Sequence, residues 1–82
     1  MVILLTKEWI TINICVKILV EKVRLEQGLS LAELARRSGV SVSHIHGIEA
    51  GQKEPGIFVL CKLAVALNVD CRELFDYGEE EP

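Results

Sequence analysis

The stretch LAELARRSGVSVSHIHGIEAG, residues 31–51, decides the fold because it predicts two short helices joined by a tight turn. Ser30 is placed to cap the first helix, and Glu33 completes the spacing of a capping box. Gly39 lies where this helix must end, in a left-handed conformation that glycine adopts at low cost. Ser41 can then cap the second helix. Two helices at a steep angle around a short glycine turn form a helix-turn-helix.

Apolar residues within this unit point to one shared core. Leu34 and Ala35 fall on the inner face of the first helix, and Ile45 and Ile48 fall on that of the second. Val40 fills the corner between them. The unit is too small to bury its own apolar face, so we expect the remaining chain to be its scaffold.

The length and charge of the chain limit the functions that it can have. A chain of 82 residues is one domain, with room for a modest core and not for a large catalytic cleft. The net charge is -3, but the sequence between Cys15 and Phe75 holds eight Lys or Arg residues against seven Asp or Glu residues. The remaining acidic charge is concentrated after Phe75. A near-neutral body with basic residues gathered on one face can bind DNA.

Cysteine and histidine spacing predicts neither a disulfide nor a metal site. The three cysteines are odd in number and include no C-x-x-C pair, which favours reduced thiols. His44 and His46 are two positions apart on a helix and face different ways. No cofactor motif is present, and no apolar run approaches the ~18 residues of a membrane span. The opening residues lack the pattern of a signal peptide, so we expect a cytoplasmic protein without membrane contact.

The N-terminal residues 1–14 predict a β-type arm. Ile10, Ile12 and Ile14 alternate with polar or small residues, and residues 1–5 form a second apolar run, with Thr6–Glu8 as the turn between them. A short strand or hairpin leaves an unpaired edge that invites another chain. Our hypothesis is that the arm pairs with its counterpart in a homodimer. A strand folded against its own domain, or a frayed tail, is the alternative.

Residues 15–76 predict the helical domain. A first helix from about Cys15 to Gln27, capped by Asn13, has its inner face at Val16, Leu19, Val20 and Val23. Another helix spans Ile57 to Leu67, and Asp70 with Glu73 opens a last short helix. Residues 77–82 are too polar to fold alone, and we expect a disordered acidic tail.

The chain from about Val16 to Phe75 resembles the Cro and phage-repressor type of helix-turn-helix regulator, the XRE family. The matching pieces are RLEQGLS (24–30), ELARRSGVS (33–41), HIHGIEAG (44–51), Pro55, KLAVALNVD (62–70) and ELF (73–75). The resemblance implies an all-α fold of five helices, here with the short N-terminal β arm in addition. It also implies that helix 42–50 enters the DNA major groove and that a dimer binds a palindromic operator.

Arg24 and Glu49 match positions that commonly form a buried ion pair in this family. Glu49 lies near the inward face beside Ile45 and Ile48, where a charge needs a partner. We therefore interpret both residues as structural.

Candidate DNA contacts follow from the helical period. At about 100° per residue, Ser43, His46 and Gly47 point away from the core, and Val42 is exposed at the first turn. These four residues are the candidate base contacts. Candidate phosphate contacts are Arg36, Arg37, Ser41 and Lys53. The alternative is that these are ordinary solvent-facing residues. Leu31 departs from the glutamine that many relatives use against a phosphate, and few long donors face the groove.

These features predict a sequence-specific regulator that binds double-stranded DNA, most simply a repressor. The alternative is a helix-turn-helix scaffold that acts mainly as a protein-interaction module, such as an antitoxin with a toxin as its protein partner. An enzyme is not expected, because the sequence contains no nucleophile with a base, no glycine-rich phosphate loop and no metal cluster.

Overall fold

The structure, a computed structural model, describes residues 2–4, 9–11 and 14–79. Within these residues the chain forms four α-helices, one short 3-10 helix and two antiparallel strand pairs. In chain order these elements are β1 (Val2–Leu4), β2 (Trp9–Thr11), β3 (Ile14–Ile18), α1 (Val20–Glu26), α2 (Leu31–Ser38), α3 (Val42–Glu49), α4 (Ile57–Leu67), the 3-10 helix (Cys71–Leu74) and β4 (Phe75–Glu79).

The helix-turn-helix consists of α2 and α3, and local sequence signals set its limits. The Ser30 hydroxyl accepts a hydrogen bond from the Glu33 N–H at 3.0 Å, and the Ser41 hydroxyl accepts one from the His44 N–H at 3.2 Å. Gly39 ends α2 with a φ of 76°, in the left-handed region. The capping box at Ser30 is only half formed, because the Glu33 carboxylate bonds to arginines of its own helix.

The core lies where all four helices meet the 3-10 helix. Its buried members come from every one of these elements and from the turn before α3: Val20, Leu34, Val40, Ile45, Ile48, Leu60, Leu63, Ala64, Leu67 and Leu74. Burial of such side chains contributes about 1.5–3 kcal/mol each. The core therefore fixes α3 against the rest of the domain, as the inner-face residues of the sequence predict.

The prediction of five helices is wrong because the described residues form four α-helices, and the first of these is shorter than predicted. The first helix begins at Val20 and not near Cys15, so its N-cap is Leu19, and Asn13 lies outside the described residues. Residues Ile14–Ile18 instead form β3. The predicted last helix is a single 3-10 turn, opened by the capping box of Asp70 and Glu73 and followed at once by β4.

Strands β3 and β4 form a ribbon that the sequence analysis did not predict. They are antiparallel, with Val16 opposite Tyr77 and Ile18 opposite Phe75. The β-branched residues of β3 prefer this extended conformation once a partner strand is available. The expected disordered tail is therefore wrong for residues 77–79, which lie in β4, while residues 80–82 lie outside the described residues.

The N-terminal arm contains the hairpin that the sequence offered as one option. Strands β1 and β2 are antiparallel, with Val2 opposite Thr11 and Leu4 opposite Trp9. The expected turn at Thr6–Glu8 lies outside the described residues. The arm pairs with itself in this structure, and the ribbon β3–β4 is a separate strand pair.

Candidate nucleic-acid interface

The outer face of α3 forms one wall of a groove on the protein surface. Ser43 and His46 are exposed on this face, as the helical period predicts, and Val42 is exposed at the first turn of α3. The groove encloses about 710 Å³ and is lined by Leu31, Val42, Ser43, His46, Gly47, Gln52 and Lys53. We call it the α3 groove. It brings together the four predicted base contacts and one of the four predicted phosphate contacts.

Gly47 is the exception among the predicted base contacts, because it is buried and forms the floor of the α3 groove. A Cβ atom at this position would lie 3.0 Å from Cδ of Lys53 and 3.1 Å from its Cγ. The Gly47 carbonyl accepts hydrogen bonds from the Gln52 and Lys53 N–H groups at 2.9 and 3.1 Å. Glycine thus lets the aliphatic part of Lys53 lie directly against α3, and it offers no side chain to a ligand.

Ser41 lies at the N-terminal end of the same helix. Its side chain is exposed, and its hydroxyl oxygen caps α3 through the His44 N–H. The first N–H groups of a helix have no acceptor within the helix and carry the positive end of its dipole. The end of α3 at which Ser41 lies therefore carries partial positive charge.

Arg36 and Arg37 do not lie on the α3 groove. Both bond to the Glu33 carboxylate, Arg37 from its Nε at 3.3 Å, and these contacts lower the pKa of Glu33. Around the axis of α2, Arg36 lies about 140° and Arg37 about 120° from Leu31, the residue of this helix that lines the α3 groove. Arg37 instead lines a second groove between α2 and α4, the α2/α4 groove, with Ser38, Phe58, Cys61, Lys62 and Val65. The structure therefore separates these two arginines from the other predicted contacts.

Arg24 and Glu49 form an ion pair that ties α1 to α3. Arg24 donates from Nε to Oε2 of Glu49 at 2.8 Å and from Nη2 to Oε1 at 3.0 Å. The two side chains are only 9% and 5% exposed. Arg24 also donates from Nη1 to the Leu29 carbonyl at 2.8 Å, and its pKa is raised chiefly by the hydrogen bond to Glu49. This bidentate pair fixes the end of α3 and, through it, the α3 groove.

Gln52 is a groove residue that the sequence analysis missed. It follows Gly51, whose φ of 76° turns the chain back toward α3 at the end of the helix. The return is what places both Gln52 and Lys53 beside Gly47. The glycine after the helix is the sequence signal that points to this turn.

The part of the chain that the structure describes contains neither a metal cluster nor a membrane-spanning helix. No cluster of three or more His, Cys, Asp or Glu side chains there is arranged to hold a metal ion. No helix there is both long enough and apolar enough to cross a membrane.

Comparison with protein families places this geometry in a known class. Residues 20–74 match the family model described as Helix-turn-helix. The chain is 36% identical over 61 residues to an uncharacterized HTH-type transcriptional regulator, y4dJ, of Sinorhizobium fredii, covering 74% of this chain and 79% of that protein. It is 37% identical over 62 residues to the HTH-type transcriptional regulator SinR of Bacillus subtilis, covering 74% of this chain and 56% of SinR.

Solved structures give the same result. The restriction-modification controller protein C.AhdI from Aeromonas hydrophila superposes with a TM-score of 0.64 at 37% identity, covering 66% of this chain and 82% of that one. The controller protein C.Esp1396I superposes with a TM-score of 0.61 at 31% identity, covering 63% of this chain and 68% of that one.

The chain belongs to the XRE-type helix-turn-helix family of DNA-binding transcriptional regulators. This family and these relatives are regulators and not enzymes. The resemblance predicted from the sequence is thereby confirmed, and the comparisons do not favour the alternative of a protein-interaction module.

Proposed function

We propose that the protein is a sequence-specific regulator of transcription, most simply a repressor, that inserts residues 42–50 into the major groove of double-stranded DNA as a dimer. The observation that carries the proposal is the α3 groove, in which the exposed side chains of α3 lie beside a lysine. A repressor needs only to occupy its operator, which suits a domain of this size. We also place this activity in the cytoplasm, where such a regulator meets its DNA.

Base contacts are assigned to the exposed residues of α3. The Val42 side chain is 44% exposed and can pack on a thymine methyl group. Ser43 and His46 supply the hydrogen-bonding groups for base edges. Gly47 is covered by the Lys53 stem and offers no contact of its own, and Gln52 adds an amide to the groove. Readout by so few donors makes phosphate contacts and dimerisation important for affinity.

Phosphate contacts are assigned to Lys53, to Ser41 and to the first N–H groups of α3. Lys53 is exposed and lies along the α3 groove with its stem over Gly47, which gives this groove a positive charge. Arg36 and Arg37 take a smaller part than the sequence suggested, because Glu33 neutralises part of their charge and they lie on other faces of α2.

Lys53 can be tested against a matched lysine on another face of the protein. Duplexes selected from a random library by the wild-type protein, and scrambled versions of them, would be titrated by fluorescence anisotropy across salt concentrations. Lys53→Ala should reduce the salt slope by about one phosphate contact. Lys62→Ala, on the α2/α4 groove, should leave it unchanged. Equal loss from both variants contradicts the assigned face, and failure to select any duplex contradicts the function.

The dimer is assigned to the N-terminal hairpin. Among the described strands, β1 and β2 pair only with each other, so each keeps an outer edge able to accept a strand from a second copy. Sedimentation should give the mass of a dimer for the full chain and of a monomer after deletion of residues 1–12. If the shortened chain is still a dimer, the hairpin is ruled out as the dimer contact.

A further inference from the structure

Two of the three cysteines meet at a place that the α3 groove does not include. Cys61 on α4 and Cys71 at the start of the 3-10 helix are ten positions apart in the chain, and their sulfur atoms are 4.0 Å apart. A disulfide requires about 2.05 Å, so rotation of the two side chains must bring the sulfurs closer by roughly 2 Å. We propose that Cys61 and Cys71 are a redox-active thiol pair that hydrogen peroxide oxidises to an intramolecular disulfide.

The backbone between the two cysteines holds them in place. Asn68 ends α4 in the left-handed conformation, with a φ of 56°, and the Val69 N–H donates to the Ala64 carbonyl at 3.0 Å. Beyond this turn, the Asp70 N–H donates to Oε2 of Glu73 at 3.0 Å. The connection is thus a helix end followed directly by a capping box. Little chain entropy remains to be lost when the sulfurs approach each other.

The surroundings of the two thiols give them different roles. Cys61 is exposed, whereas Cys71 is half-buried and packs against the core. Burial raises the pKa of the Cys71 thiol, and the neighbouring Cys61 acts in the same direction. Because the thiolate is the nucleophile, Cys61 is the sulfur that meets and attacks an oxidant from solution, and Cys71 is the resolving thiol.

The chemistry balances with hydrogen peroxide as the oxidant. The Cys61 thiolate attacks one peroxide oxygen, the O–O bond breaks, and the departing hydroxide takes a proton to become water. The Cys71 sulfur then attacks the resulting sulfenic sulfur, the S–O bond breaks, and a second water leaves with the Cys71 proton. Two thiols lose two electrons in total, and one peroxide molecule is reduced to two waters.

Oxidation changes a surface other than the DNA-facing one. Cys61 lines the α2/α4 groove beside the exposed Phe58 and Val65, and no residue lines both this groove and the α3 groove. The disulfide would remove a free thiol from this apolar surface and would join α4 to the 3-10 helix. It would also constrain the unfolded chain, so we expect the oxidised protein to melt about 10–20 °C higher.

The test is oxidation of the reduced full chain by hydrogen peroxide, followed by intact mass and peptide mapping. The expected product is lighter by about 2 Da, the mass of two hydrogens. Trypsin should release peptides 54–62 and 63–72 joined by a bond that dithiothreitol breaks. Cys15→Ser should behave in the same way, whereas Cys61→Ser and Cys71→Ser should give no cross-linked peptide. Circular dichroism of the reduced variants verifies that each is folded.

Two products would overturn the proposal. One is a chain oxidised to sulfinic acid at Cys61 while Cys71 still reacts with maleimide after unfolding. The other is a disulfide between chains as the main product, which would show that the two neighbouring thiols do not resolve each other. Either result would be obtained with the wild-type protein, so neither depends on the folding of a variant.

Discussion

Two groups of Arg and Glu residues use the same chemistry in opposite surroundings. Arg24 and Glu49 join α1 to α3, with two hydrogen bonds between side chains that are nearly buried. Glu33 with Arg36 and Arg37 lies within one helix, where the arginine side chains are 72% and 46% exposed. The first group determines where α3 sits. The second mainly reduces the positive charge that α2 presents.

The difference shows that ion pairs must be weighed by burial and by what they connect. A buried charge without its partner pays a large desolvation cost, while an exposed charge returns to water. Sequence spacing alone would rank the two groups the other way. The exposed group follows the familiar i, i+3 and i, i+4 pattern of a helix, whereas the buried pair spans 25 positions.

Of the substitutions considered, Glu49→Ala should reduce the stability of the fold most. It leaves the buried Arg24 guanidinium with only the Leu29 carbonyl and the distant Glu21 carboxylate, 4.0 Å away, and such a loss costs about 3–5 kcal/mol of unfolding free energy. Urea denaturation followed by circular dichroism measures it. The double variant Arg24→Met with Glu49→Leu serves as the control and should recover most of the stability, because no buried charge remains. A loss below about 1 kcal/mol in the single variant would contradict the comparison.

Asp70→Asn should have a smaller effect on stability, and that effect should depend on pH. The hydrogen bonds from the Arg72 side chain and N–H lower the pKa of Asp70 from 3.8 to about 2. The folded protein therefore gains stability from this carboxylate above about pH 4, and loses it as the pH falls toward 2. Asparagine retains the helix cap without ionising. Melting temperatures measured from pH 5 to about pH 2 should fall less steeply in the variant, and parallel profiles would remove this assignment.

The smallest effect is expected from Arg36→Ala combined with Arg37→Ala. Exposed pairs of this kind contribute little to stability, and these two lie away from the α3 groove. The melting temperature and the salt slope of DNA binding should both stay close to wild type. A slope reduced by about two contacts would show that both arginines reach phosphates, and would restore the interpretation that the sequence suggested.

Local signals explain how much of the fold could be predicted. Ser30, Gly39 and Ser41 mark the ends of α2 and α3 through contacts within a few residues, so these helices could be placed from the sequence. The ribbon could not, because Val16 acquires its partner Tyr77 only after the four helices have turned the chain around. Without that partner, the spacing of Val16 with later apolar residues also fits a helix.

The residues of the candidate site also divide into those that local sequence places and those that tertiary packing places. The helical period and the limits of α3 are local properties, so the sequence correctly predicts that Ser43 and His46 are exposed, and that Val42 is exposed at the first turn. Gly47 was misjudged because its cover, the Lys53 side chain, arrives from the loop after the helix. Arg36 and Arg37 were recognised as exposed, but exposure does not tell which way a side chain faces relative to a neighbouring helix. That information lies in the tertiary packing.

The β3–β4 ribbon also has a consequence for the order in which the molecule folds. Helices α1 to α4 are built from contacts close in sequence, which form quickly and can develop while the chain is being synthesised. The ribbon, together with the bond from the Leu19 N–H to the Leu74 carbonyl at 2.8 Å, must wait until β4 has left the ribosome. Until then the apolar residues of segment 14–18 have no partner strand to cover them. The newly made chain is therefore exposed to association with other chains for as long as β4 is missing.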